Sequence, residues 1–176
     1  MKNLRNILHS GDVVRFHNHV GVDKQKLSEH QWGVALIVHA ISPNCSKSLL
    51  LAALTHDAHE YYVGDIPANV KWDNPELRTV LTIIEKRWEE QNGIHYDLHW
   101  EESLTLKLAD TLEGMWYCVH QVRSGNINAK RPFRKWRKFI SEFIAEHSKN
   151  ASEPFQKVLL LASELVSLII QEMEEL

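Results

Sequence analysis

The chain has 176 residues, 44% apolar and 24% charged, with a formal charge of −3. That length buries a core without disulfide help, and the composition is that of a globular chain and excludes intrinsic disorder. A pI near 6.4 gives no global attraction to nucleic acid, so no nucleic-acid partner is expected.

Nearly every long segment carries apolar residues at three-and-four spacing, and none alternates long enough for a convincing strand, so the expected fold class is all-α. Met1–Ser10 lacks the apolar block of a signal peptide. No stretch reaches the ~18 uninterrupted apolar residues of a membrane span. Gly11–Gln25 is polar and reads as an ordered loop near something functional. Ser28 is placed to cap a helix over about Glu29–Ile41 that Pro43 stops, and Ser46 to cap the next, through about Tyr62. Gly64 and Pro67 break the pattern, and Asn74 with Pro75 opens a helix that runs to Gly93. A long helix follows over about Trp100–Ser124 and ends at Gly125. Another spans about Phe133–His147 after Pro132, and Ser152 with Pro154 opens the last, through Glu172. The basic run Lys130–Lys138 (KRPFRKWRK) reads as a solvated helix face. No repeat, low-complexity tract or linker divides the chain, so one domain over residues 1–176 is expected. Cys45 and Cys118 lie far apart without a CxxC pattern, which speaks against a disulfide framework or thiolate zinc site and fits a reducing, cytoplasmic setting.

The residues that carry chemistry are those that break the apolar pattern. His30 lies in the first turn of one helix. His56 and Asp57 end the run Leu49-Leu50-Leu51-Ala52-Ala53-Leu54, and Asp110 interrupts Leu106-Lys107-Leu108-Ala109 and Thr111-Leu112. Burying such groups unpaired costs several kcal/mol, on the order of the penalty for an uncompensated ion, so they need partners or a cation. Two imidazoles and two carboxylates suit a borderline divalent ion such as Co, Mn, Zn or Fe, with positions left for water and phosphate. Glu60, one turn after His56, can reach a water at that centre and is the expected general base. Asp65, where the helix breaks, is placed to position the water or protonate a leaving group. His59 projects about 100° from Glu60 on a regular helix and is not expected in the site.

His30, then His56-Asp57, then Asp110, each on its own helix, is the H…HD…D pattern, and on it the chain is identified as a member of the HD-domain phosphohydrolases. The segment Leu54-Thr55-His56-Asp57-Ala58-His59-Glu60-Tyr61-Tyr62-Val63-Gly64-Asp65-Ile66-Pro67 resembles the HDxxExxxGDxP element of the YfbR-like 5′-deoxynucleotidases. It also resembles the small phage deoxynucleotide triphosphohydrolases of the DatZ type. In both groups an arginine followed by an aromatic precedes the first metal histidine, as Arg15-Phe16 precedes His30 here.

The resemblance implies a single-domain HD helical bundle and a deoxynucleotide substrate. Arg15 would contact phosphate, Phe16 would pack on the sugar and exclude a 2′-hydroxyl, and Lys71 and Lys107 would hold the outer phosphates. Asn18 stands where the DatZ-like group contacts adenine, but is polar where that group is apolar. Two extra ammonium groups suit the roughly four negative charges of a triphosphate better than a monophosphate. The reading is therefore a dNTP triphosphohydrolase, with dATP as a candidate substrate and an additional Mg riding in with the triphosphate. A 5′-deoxynucleotidase acting on dNMPs is the alternative, and a non-catalytic nucleotide-binding regulator the second. Relatives of this size imply a homo-oligomer, dimer or hexamer, and the last helix (Val158, Leu159, Leu160, Leu161, Leu165, Val166) is apolar on more than one face. For the DatZ type a phage origin, and so a host-cell cytoplasm, is implied.

Overall fold

Two serines set helix starts where the sequence places them: Ser46 accepts the Leu49 N–H at 3.0 Å and Ser152 the Phe155 N–H at 3.3 Å. The computed structural model describes residues 3–17 and 22–176. Among these the elements run α1 (Leu4–Ser10), β1 (Val14–Arg15), β2 (Gln25–Lys26), α2 (Leu27–Ile41), α3 (Lys47–Thr55), α4 (Glu60–Val63), α5 (Ala68–Asp73), α6 (Pro75–Asn92), α7 (Trp100–Arg123), α8 (Lys130–His147) and α9 (Glu153–Glu174). A short 3-10 turn over Ile127–Ala129 leads into α8. The fold is all-α, as the periodicity requires, apart from one two-residue antiparallel ladder.

α7 is the axis of the core. Leu108, Leu112, Met115 and Val119 follow a three-and-four repeat and are fully buried, with Ala109 and Cys118 beside them. α2, α3, α8 and α9 pack around α7 and add Val34, Val38, Leu49, Ile140 and Ile169 to the same cluster. Cys45 and Cys118 are both free thiols. No helix of the described residues is long and apolar enough to cross a membrane.

Four local readings change. The expected helix from Ser46 to about Tyr62 stops at Thr55, and the chain continues through three-residue turns: Ala58 N–H to Thr55 O at 2.9 Å, Glu60 to Asp57 at 2.9 Å and Tyr62 to His59 at 2.9 Å. The cause is local competition for carbonyls. His56 Nδ1 bonds Ala53 O at 3.1 Å, the acceptor a continuing α-helix would offer to Asp57. α2 begins at Leu27 with Lys26 as its cap, not Ser28, because β2 runs straight into it and the Lys26 N–H bonds the Glu29 carboxylate at 3.3 Å. α8 begins at Lys130 and tolerates Pro132 in its first turn, where the missing N–H has no intrahelical partner to lose. Inside Gly11–Gln25, β1 pairs with β2 so that Arg15 stands opposite Gln25. α1 and α5 are helices for which the apolar pattern gave no signal.

Candidate active site

Two helices and one tight turn bring the four expected metal-binding residues together. His30 comes from the first turn of α2, His56 and Asp57 from the turn after α3, and Asp110 from the middle of α7. Donor atoms of His30, His56 and Asp110 lie within 4.8 Å of one another. Asp57 Oδ2 closes the group at 3.6 Å from His30 Nε2 and 3.4 Å from His56 Nε2, and Asp110 Oδ1 lies 3.4 Å from His30 Nε2.

Hydrogen bonds on the far side of each ring decide which nitrogen faces this group. His56 Nδ1 can only donate to a carbonyl, so its contact with Ala53 O leaves Nε2 with a lone pair. His30 Nδ1 contacts Glu113 Oε2, with the same result. Among the described residues, both Nε2 atoms and Glu60 Oε2 are buried without a hydrogen-bond partner. Buried polar atoms are rarely left so, and two inward lone pairs beside two carboxylates are the donor set a borderline divalent cation takes. The residues present therefore fit a metal.

The charges respond to one another. Burial pushes the Asp57 carboxyl up, but His56 and Arg15 outweigh it and hold it below the usual carboxylate range. Asp110 is likewise held low against burial, by Lys107 and then His30. Arg15 is buried yet stays a firm cation, because Asp57, Asp110, Glu60 and Glu113 more than offset its desolvation. His30 is raised: burial and Arg15 oppose its charge, and the neighbouring carboxylates of Asp110 and Glu113 prevail. Glu60 is 3% exposed, and burial followed by Asp57 pushes its carboxyl up to about 9.

These groups open into a cavity of about 490 Å³, which Arg15, Glu60, Asp65, Lys71 and Lys107 line together with His56, Asp57 and Asp110. Lys107 Nζ also pairs with Asp110 Oδ2 at 2.8 Å. Asp65 is partly committed elsewhere, since its Oδ2 accepts the Phe16 N–H at 3.2 Å. That bond ties the Arg15-Phe16 segment to the GDxP turn, where Gly64 adopts a left-handed φ of 75°.

Residues 7–162 match the family described as YfbR-like 5′-deoxynucleotidase. The chain belongs to this family. It is thereby one of the HD-domain deoxynucleotide phosphohydrolases, as the spacing of His30, His56-Asp57 and Asp110 led us to expect. A 5′-deoxynucleotidase of Vibrio parahaemolyticus is 26% identical, with 60% of this chain and 66% of that protein covered. One of Yersinia pestis is also 26% identical, over 65% of this chain and 72% of its own length. The chain thus spans about two thirds of the length of these curated relatives. Its fold is similar to that of the cyanophage S-2L HD phosphohydrolase DatZ, solved with dA and one catalytic Zn2+, at a TM-score of 0.64 and 18% identity over 94% of this chain and 95% of that one.

In this YfbR-like chain the structure departs from the motif reading at two places. The Phe16 ring is not among the residues lining the cavity; it is 9% exposed, stacked on Tyr117 at 5.0 Å and edge-on to Trp136 at 6.4 Å. Trp136 forms the wall and Phe16 backs it, at the cost of a left-handed φ of 59° for a bulky residue. His59, read as pointing away, lines the cavity because the chain between His56 and Glu60 is not a regular helix. Asn18 lies outside the described residues.

Motif matching also passed over Arg78, Thr82 and Glu85 of α6, which line the cavity and whose spacing marks one helix face. Glu113 was missed as well. Its signal was an acid three residues after Asp110, and so on the same face of an otherwise apolar helix.

Proposed function

We propose that the chain is a metal-dependent hydrolase that cleaves deoxynucleoside triphosphates at the α-phosphorus, releasing deoxynucleoside and triphosphate. One observation carries this reading: a single cavity is lined by metal donors, a buried acid that can serve as base, and the cations Arg15, Lys71, Arg78 and Lys107. So much positive charge suits a chain of phosphates.

His30, His56, Asp57 and Asp110 would hold the metal. The family relationship and the Zn2+ of the cyanophage fold neighbour support a divalent ion, with Co, Mn, Zn or Fe all compatible with the donor set and a further Mg expected to accompany the triphosphate. When bound, it supplies Lewis-acid activation of water and phosphate. With the charge of a bound cation lowering its carboxyl back to the ionised form, Glu60 would take the proton of the attacking water, whose oxygen bonds to the α-phosphorus as the bond from phosphorus to the 5′-oxygen breaks. Asp65 orients that water or returns a proton to the 5′-oxygen. Arg15 presents a buried guanidinium nitrogen without a hydrogen-bond partner among the described residues, an arrangement suited to a phosphate oxygen. Lys71, Lys107 and Arg78 meet the outer phosphates. Trp136, backed by Phe16, would press on the sugar, and Asn18 is assigned to the base. Leu160 and Leu168 of α9 stay exposed, in keeping with self-association.

A second reading, 5′-deoxynucleotidase action on dNMPs, is favoured by the family description itself. The test is to incubate the metal-loaded protein separately with each dNTP, dNMP and NTP and separate the products by chromatography. Triphosphate from dNTPs supports the first reading, and phosphate from dNMPs alone replaces it with the second. Glu60→Ala separates an enzyme from a nucleotide-binding regulator: the enzyme loses turnover while retaining ligand binding.

A further inference from the structure

We propose that Glu113 is the positioning residue of the metal centre, holding the His30 imidazole so that Nε2 faces Asp57 and Asp110, with Gln25 holding Glu113 in turn. This rests on the reading of His30 as a metal ligand. His30 is completely buried and Glu113 is 6% exposed, so water cannot supply the bond between them. Glu113 Oε2 takes the His30 Nδ1 contact, and Oε1 accepts the Gln25 side-chain N–H at 2.7 Å. Both carboxylate oxygens are thus engaged, one by each partner.

The surrounding backbone makes room for this arrangement. A Cβ on Gly33, one helical turn after His30, would stand 2.8 Å from Glu113 Cγ and 3.3 Å from Oε1. Only a glycine on α2 lets α7 bring the carboxylate so close to the ring. On α7 itself Glu113 follows Asp110 by one turn, so one helix face carries both a ligand and the group that orients another ligand.

Two consequences follow for His30. A carboxylate on Nδ1 fixes the tautomer with Nε2 free and raises the basicity of the ring as a donor. Gln25 also pairs with Arg15 across the β1–β2 ladder. The strand that presents the phosphate-facing arginine and the group that aims the metal ligand are therefore one connected unit.

Glutamine at position 113 has one accepting oxygen. With that oxygen toward His30 the neutral amide loses the charge that strengthens the Nδ1 hydrogen bond, and its NH2 faces Gln25 where a carboxylate oxygen had accepted. Glu113→Gln therefore tests the role through metal binding rather than turnover. Zn2+ and Co2+ are titrated calorimetrically into chelator-treated protein, and the Co2+ visible spectrum reports the ligand geometry. Relative to wild type we expect Glu113→Gln to weaken metal binding roughly 10–100-fold and change the Co2+ bands. Gln25→Leu, which leaves Glu113 in place, shifts affinity in the same direction by less. His30→Gln serves as reference for loss of a ligand. Wild-type affinity and spectrum in folded Glu113→Gln, with affinity lost in His30→Gln, overturns the proposal while the ligand reading stands. A wild-type protein that takes up neither ion overturns both. Where Glu113→Gln does not fold, Gln25→Leu decides: weaker binding upholds the proposal and unchanged binding overturns it.

Discussion

Gly114→Ala tests whether Trp136 is the wall against which substrate is positioned. Gly114 lies on α7 four residues after Asp110 and lines the cavity beside Trp136. An added Cβ would sit 2.9 Å from both Cη2 and Cζ3 of the indole. Carbon atoms settle at about 3.5–4.0 Å, so the ring must move by roughly 0.6–1.1 Å. Phe16 stands edge-on to Trp136 at 6.4 Å and is itself stacked on Tyr117, which leaves the cavity as the open direction. Overpacking of this kind costs about 1–3 kcal/mol. Replacing a mid-helix glycine by alanine returns about 1 kcal/mol, so the net loss of stability is small, about 0–2 kcal/mol. The functional loss is larger, since a displacement near 1 Å in a positioned site lowers rate by on the order of a hundredfold. The assay pairs kcat/KM for deoxynucleotide hydrolysis with a urea melt and a metal titration. We expect kcat/KM to fall strongly while metal affinity holds, because Gly114 contributes no donor atom. A variant with wild-type kcat/KM and wild-type stability would refute the placement of Trp136.

Glu85 carries a pH signature. Burial, then Glu89 and Asp57, push its carboxyl from 4.5 up to about 7, so the fold favours the protonated form. Its contribution to stability is full below about pH 4.5 and is lost as pH rises through about 7. Glu85→Gln should match wild type at pH 4.5 and melt higher than wild type above pH 7, and parallel melting curves across that window would count against it. For the metal, Asp110→Asn should abolish the thermal shift that a divalent ion gives the wild-type protein, worth about 2.7 kcal/mol at a hundred times Kd. An equal shift in the variant would remove Asp110 from the ligand set. In the core, Ile140 is fully buried, and Ile140→Ala should cost about 2–5 kcal/mol in a denaturant melt, with a loss below about 1 kcal/mol contradicting that packing.

The amino-acid sequence by itself determined the helical class, most ends of the long helices and which residues gather at the candidate metal site. Caps such as Ser46 and Ser152 act on N–H groups three residues away, so their effect is readable locally. His30, His56-Asp57 and Asp110 stand out because buried ionisable groups in apolar helical registers have few reasons to exist other than a shared partner. What only the tertiary structure decided involves contacts between elements. The tight turn at His56 is itself local, a ring nitrogen bonding the Ala53 carbonyl three residues back, but that it carries His59 into the cavity against the helical projection depends on where the turn packs. Phe16 lies behind Trp136 because Tyr117 and Trp136, about a hundred residues later, converge on it. Glu113 meets His30 only where α2 crosses α7, and the close approach is set by the absence of a side chain at Gly33. Helical periodicity says which face of a helix is buried, whereas the identity of the group it meets is fixed by how the faces pack, and that information is spread over the whole chain.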